Sequence, residues 1–119
     1  MLNLKYRLVL TYRGTIPGVE VVGLKKLVLD VLKPLKGPSI IELAEALTNV
    51  DGVDEVSINV NEIDVETVTL TIIIEGEGIN FKKIREIIED LGAVIHSIDH
   101  VTAFKSEGRA SLGSFESEM

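Results

Sequence analysis

The chain has 119 residues, a formal charge of −7, and no cysteine, tryptophan or glutamine. That length holds one domain with one core. Without cysteine there are no disulfides, cysteine-zinc sites or thiol nucleophiles, which leaves the redox compartment open, and the acidic balance argues against general nucleic-acid binding, which needs Lys and Arg to displace counterions.

The hydrophobic fraction of 45% is mostly Ile, Val and Leu, and β-branched richness favours sheet. No apolar run approaches the roughly 18 residues that span a bilayer, and the N-terminus lacks the unbroken apolar stretch of a signal peptide. A cytoplasmic protein with no membrane partner is therefore expected. Scarcity of thermolabile side chains fits a thermophilic source.

Residues 1–23 carry Lys5, Arg7 and Arg13 against Glu20, a net of +2, leaving −9 for the rest. Within them "LNLKYRLVLTY" alternates like a strand. This N-terminal extension reads either as an extra strand or as an over-extended start before a true beginning near Val22–Leu24, and the second is preferred. Leu24–Lys33, "LKKLVLDVLK", is the first strand of the main domain, closed by Pro34. Ser39 then caps a helix, with Glu42 completing a capping box. Ile40, Leu43, Ala44 and Leu47 recur at helical spacing, and Gly52 suits a left-handed turn at the end.

Glu55–Ile63 alternates, a tight turn spans Asp64–Glu66, and Thr67–Glu75 alternates again, a hairpin signature. Asn80 caps a second helix, with Ile79 and Ile84 placed as a hydrophobic staple. Phe81, Ile84, Ile87, Ile88 and Leu91 form its apolar stripe, and Gly92 ends it. Ala93–Phe104 is the last strand, and 106–119, without periodicity, reads as a disordered C-terminal tail. The order strand–helix–strand–strand–helix–strand is the ferredoxin-like βαββαβ pattern of the α+β class. It predicts a four-stranded antiparallel sheet over 24–105 with two helices on one face, the first and third strands central.

Alternation converts these strands into faces. The helix-covered face is expected to take Leu27, Leu29, Val31, Val56, Ile58, Val60, Val68, Leu70, Ile72 and Ile74. The open face then receives Val28, Asp30, Leu32, Ser57, Asn59, Asn61, Ile63, Thr69, Thr71 and Ile73. For the last strand, Val94 and Ile98 are placed inward, because the opposite phase would bury Asp99 under a helix. That choice sends Ile95, Ser97, Asp99, Val101 and Ala103 to the open face. Its apolar members, Val28, Leu32, Ile63, Ile73, Ile95 and Val101, form a patch that reads as a subunit interface. A polar centre of Asp30, Thr69, Thr71, Ser97 and Asp99 lies within it.

Three groups of residues could carry chemistry. "VIHSIDHVT" (Val94–Thr102) holds both histidines, but on a strand His96 and His100 stand roughly 13 Å apart, too far to share an ion. Asp30 and Asp99 are expected on one face of adjacent strands, where with nearby hydroxyls they suit Ca2+ or Mg2+; an aspartate hydrogen-bonded across a subunit contact is the plainer alternative. Glu62, Asp64 and Glu66 cluster at the hairpin tip without the spacing of a calcium loop, and solvated turn charges account for them. No P-loop, HExxH or credible nucleophile is present.

Lys25–Leu47 ("KKLVLDVLKP…PSIIELAEAL"), Val56–Asp64 ("VSINVNEID") and Gly92–Val101 ("GAVIHSIDHV") resemble the archaeal family catalogued as domain of unknown function 211. The resemblance covers about residues 24–105. It implies the ferredoxin-like fold and homo-oligomeric ring assembly, with no established reaction. The matching positions are Asp30 with Lys33 and Pro34, Glu62 and Asp64, and the His96–Asp99 segment. The first loop, "KPLKGPS", is one residue longer than the family's form, and His100 stands where an acidic residue is expected.

The expectation is therefore a ring-forming module, non-enzymatic and regulatory, that binds a hard cation or small ligand at subunit contacts. Its ligand-binding candidates are Asp30, Thr69, Thr71, Ser97 and His96, and its metal candidates Asp30, Asp99, Glu62 and Asp64. One alternative is an enzyme completed across subunits, with His96 as general base and a carboxylate orienting it. Another is a structural or adaptor protein.

Overall fold

The computed structural model describes residues 20–107; the expectations for 1–19 and 108–119 lie outside that range. Leu24–Thr102 forms one compact unit.

The elements are β1 (Glu20–Pro34), α1 (Ile40–Thr48), β2 (Val53–Ile63), β3 (Thr67–Gly76), α2 (Phe81–Asp90) and β4 (Val94–Glu107). They form one four-stranded antiparallel sheet in the order β2-β3-β1-β4, the ferredoxin-like arrangement with β1 and β3 central. β1 starts before Leu24 and β4 ends after Phe104, so both strands outrun the alternation that marked them.

The core follows from that order. Leu27, Leu29 and Val31 of β1 and Val68, Leu70, Ile72 and Ile74 of β3 are buried, as are Leu43 and Leu47 of α1 and Ile84 and Ile88 of α2. Each such side chain withdrawn from water contributes about 1.5–3 kcal/mol before entropy is counted. The edge strand β2 adds Val53, Val56 and Ile58, partly buried against this cluster, and Val60 is left exposed. Lys33 ends the buried row of β1, its ammonium donating to the Pro34 carbonyl at 2.8 Å.

Both helices begin as the sequence predicts. Ser39 Oγ accepts from the Glu42 amide at 3.2 Å, and Glu42 Oε1 accepts from the Ser39 amide at 2.9 Å. That exchange satisfies two donors that the first turn cannot pair internally. Asn80 Oδ1 accepts from the Lys83 amide at 3.2 Å, while the staple residues Ile79 and Ile84 are both buried. At the other end of α2, the Gly92 amide donates to the Glu89 carbonyl at 2.9 Å and the Ala93 amide to the Ile88 carbonyl at 3.0 Å. This is a Schellman closure around Gly92 at φ +87°, and it buries Ala93 in the same core cluster as Ile88.

The β2–β3 pairing departs from simple alternation at its far end. Val60 faces Leu70, but Glu62 faces Thr69, so Asn61 is an extra residue in a β-bulge. Ile63 consequently lies opposite the buried Val68, on the helix-covered side of the sheet rather than the open face expected of it. It projects past the helices there and stays exposed.

Two glycines isolate the cost of crowding. Gly52 and Gly92 have nearly the same positive φ, +88° and +87°. A Cβ on Gly52 would meet the Gly78 carbonyl, whereas one on Gly92 would meet nothing within 4 Å. Both alanine variants bear the left-handed strain of about 1–3 kcal/mol, and only Gly52→Ala adds a backbone collision. Urea unfolding should therefore place Gly52→Ala at least about 2 kcal/mol below Gly92→Ala. Equal midpoints would show that the 52–78 contact relaxes freely.

Candidate functional site

The open face is built outward from β1. Leu29 and Val31 are fully buried under the helices, so Asp30 between them points to the other side. Register then places Asp30 beside Thr71 of β3, and Thr71 beside Asn59 of β2. The bulged Asn61 also reaches this row, its Nδ2 donating to Thr71 Oγ1 at 2.7 Å. On the other flank, His96 of β4 brings its Nδ1 to 3.2 Å from Asp30 Oδ2. Asn59 and Asn61, Thr71, Asp30 and His96 thus form a polar belt across all four strands.

Apolar side chains border that belt. Val28 and Ile73 lie opposite one another in the next row of the face. Leu32 follows on β1, and Val94 and Ile98 lie two residues either side of His96. Leu32, Val94 and Ile98 are 38%, 56% and 48% exposed. Thr69 and Glu62 pair beyond Leu32, and Glu75 lies between Lys26 and Glu55 at the opposite end. Lys26 and Glu75 form an ion pair at 3.5 Å.

The phase of β4 is the reverse of the expectation. Ile95, not Val94 or Ile98, packs against the core, and Val94, His96, Ile98 and His100 share the open face. Ser97 and Asp99 lie on the helix side, where the Ser97 hydroxyl donates to Asp99 Oδ1 at 2.7 Å. The feared burial of Asp99 does not occur, because β4 runs past the helices and leaves it exposed. Two expected groupings fall with this change. Asp30 and Asp99 are on opposite faces and cannot hold one cation between them, and Ser97 does not belong with Asp30, Thr69 and Thr71. In the apolar patch, Ile95 and Val101 give way to Val94 and Ile98.

The remaining candidates are dispersed. Glu62 lies two strands from Asp30, roughly 10 Å away across the ladder. Asp64 is in the hairpin turn, its Oδ1 accepting the Val65 amide at 2.8 Å. Among the described residues no three His, Asp or Glu side chains group as metal ligands. His100 is engaged on its own strand, its Nε2 2.9 Å from Thr102 Oγ1. His96 is therefore the histidine that joins the belt.

Its geometry has a chemical consequence. An ionised carboxylate can only accept, so Nδ1 of His96 carries the hydrogen bonded to Asp30. With Nδ1 so engaged, Nε2 is free to accept or to coordinate on the exposed side of a ring that is 75% accessible. The carboxylate behind it is 31% accessible, so the imidazole is the more exposed member of the pair.

A pair this exposed contributes little to folding. Asp30→Asn and His96→Gln should each change unfolding free energy by less than about 1 kcal/mol, against about 2–5 kcal/mol for Leu70→Ala in the core. A loss of several kcal/mol at Asp30 would make the pair structural and remove it as a site.

A family profile described as uncharacterized ArCR, that of domain of unknown function 211, matches residues 25–106. An uncharacterized protein of Methanocaldococcus jannaschii, MJ0319, is 48% identical over 83 residues, which cover 70% of this chain and 84% of the relative. No helix among the described residues is long and apolar enough to cross a membrane. By its strand order, the extent of the profile match and this degree of identity, the chain belongs to the archaeal family of domain of unknown function 211.

Proposed function

We propose that the chain is a homo-oligomeric module whose subunits meet through the open sheet face, with Asp30, Thr71 and His96 at the contact taking a small polar ligand. The observation that carries this reading is the composition of that face. Val28, Leu32, Ile73, Val94 and Ile98 surround a polar belt, and both helices lie on the other side of the sheet. Apolar side chains grouped around a few convergent polar ones match the anatomy of a subunit contact. The face measures about 19 Å across four strands and about 30 Å along nine residues, on the order of 570 Å² in projection. That is at the lower end of what one partner contributes to a specific interface.

Ring closure, which the family resemblance implies, requires this face to meet a different surface of the next subunit, head to tail. A ligand held at such a contact would shift the assembly by mass action, which gives the module a regulatory character. Light scattering at micromolar concentration should report an oligomer for the wild type. Val94→Asp and Ile98→Asp, both at exposed positions, should give folded monomers. A monomeric wild type would overturn the reading.

One observation favours a second reading, an enzyme with His96 as general base. Asp30 orients the imidazole within a single chain, where the sequence had suggested a carboxylate supplied across subunits. Hydrolysis of a small activated ester by the wild type, lost in His96→Gln, would support it; equal rates in the two proteins would remove it.

A further inference from the structure

Resting on the subunit-contact reading above, we infer that self-association through the open face takes up a proton at His96, so that assembly tightens as pH falls. The charges on that face set the cost of association. Asp30 sits in the belt, Glu62 opposite Thr69, and Glu55 and Glu75 in the row that Lys26 shares. With both histidines neutral, these five groups sum to −3. The chain beyond residue 23, these five groups included, carries −9, and the whole chain −7, so a neighbouring copy brings a net charge of the same sign.

Bringing this face against the surface of an acidic neighbour removes water from between like charges and raises their repulsion. The carboxylate most exposed to this penalty is Asp30, which lies among Val28, Leu32 and Ile73 near the middle of the face. His96 is the group placed to offset it. Its Nδ1 is already 3.2 Å from Asp30 Oδ2. A second proton on the ring turns a hydrogen-bonded anion into a neutral ion pair, without any rearrangement of the backbone. Histidine is the side chain whose ordinary titration lies between about pH 5 and 8.

The groups facing His96 from every element are consistent with this role. β1 presents Asp30, with Lys26 four residues before it, and β3 presents the uncharged Thr69 and Thr71, with Glu75, ion-paired to Lys26, four residues past Thr71. β2 presents Glu62 and Glu55, three strands away. On β4 itself the nearest ionisable neighbour on the same face is His100, four residues on and bonded to Thr102. The helices lie on the opposite side and present none. The charged form of His96 is therefore met by Asp30, and its neutral form leaves that carboxylate's charge uncompensated. The contact is also small, so a change of one charge per subunit is large beside its total affinity.

Sedimentation equilibrium of the full chain at about pH 5.5 and about pH 7.5 tests the inference, using the wild type, His96→Gln and His100→Gln. Wild-type association should be at least about tenfold tighter at the lower pH, because a proton taken up per contact shifts the equilibrium by up to about tenfold per pH unit. His96→Gln, which fixes an uncharged side chain, should hold the weaker association at both values. His100→Gln should retain the pH dependence. Equal association at both pH values in the wild type, or full pH dependence surviving in His96→Gln, would overturn the proton linkage while leaving the subunit contact intact. A wild type that is monomeric throughout would overturn the contact itself.

Discussion

The hydrogen bond from the Ala93 amide to the Ile88 carbonyl sets the phase of the whole last strand. It closes α2 around Gly92 and turns Ala93 into the core beside Ile88. Strand alternation does the rest: Ile95 follows Ala93 inward, and Val94, His96 and Ile98 turn outward. Had the closure consumed one residue more or fewer, Asp30 would face the opposite edge of β4 and its partner would be Ser97 or nothing. The polar belt, its apolar border and the orientation of the imidazole all descend from one turn of backbone at the end of a helix.

That closure was written in the sequence, and the larger pattern hid it. The fold itself was legible because alternating β-branched runs, two capped amphipathic segments and their order all agree. Ser39 with Glu42, Asn80 with Ile79 and Ile84, and the buried rows of β1 and β3 stand where spacing put them. In β4, however, Val94, Ile95 and Ile98 are all apolar and β-branched, so composition gives the strand no preferred face. The cost of burying Asp99 then favours the opposite phase, provided that helices cover the sheet to its end. They do not. A glycine at the position after a helix cap implies that the following residue packs back on the last turn, and that local rule would have placed Ala93 and His96 correctly.

The consequence for the site is a change of partner. Sequence alternation pairs Asp30 with another carboxylate, which calls for a cation; in the folded chain it is paired with an imidazole, which supplies its own compensating charge when protonated. An aspartate of this kind needs no metal to be tolerated near apolar side chains. What remained hidden was the Asp30–His96 contact itself. The two residues are 66 positions apart, and only the phase of β4 brings them to one face. Thr71 and Asn61, by contrast, come together through a hairpin whose register is local, with a single bulge as its one irregularity in that region.

That bulge, and the register break between Val53 and Glu55 at the other end of β2, bear on how the sheet behaves among other chains. β2 is an edge strand, and an unbroken edge is a template on which foreign strands can grow. Between the two irregularities only the stretch from Glu55 to Val60 keeps an even ladder, about half of an eleven-residue strand. An incoming strand would find few consecutive partners before the backbone turned away, with acidic side chains at Glu55 and Glu62 beside it. The extra residue that swings Ile63 to the helix side therefore also shields this β-rich chain, at its β2 edge, from open-ended strand addition of the kind that leads to fibres.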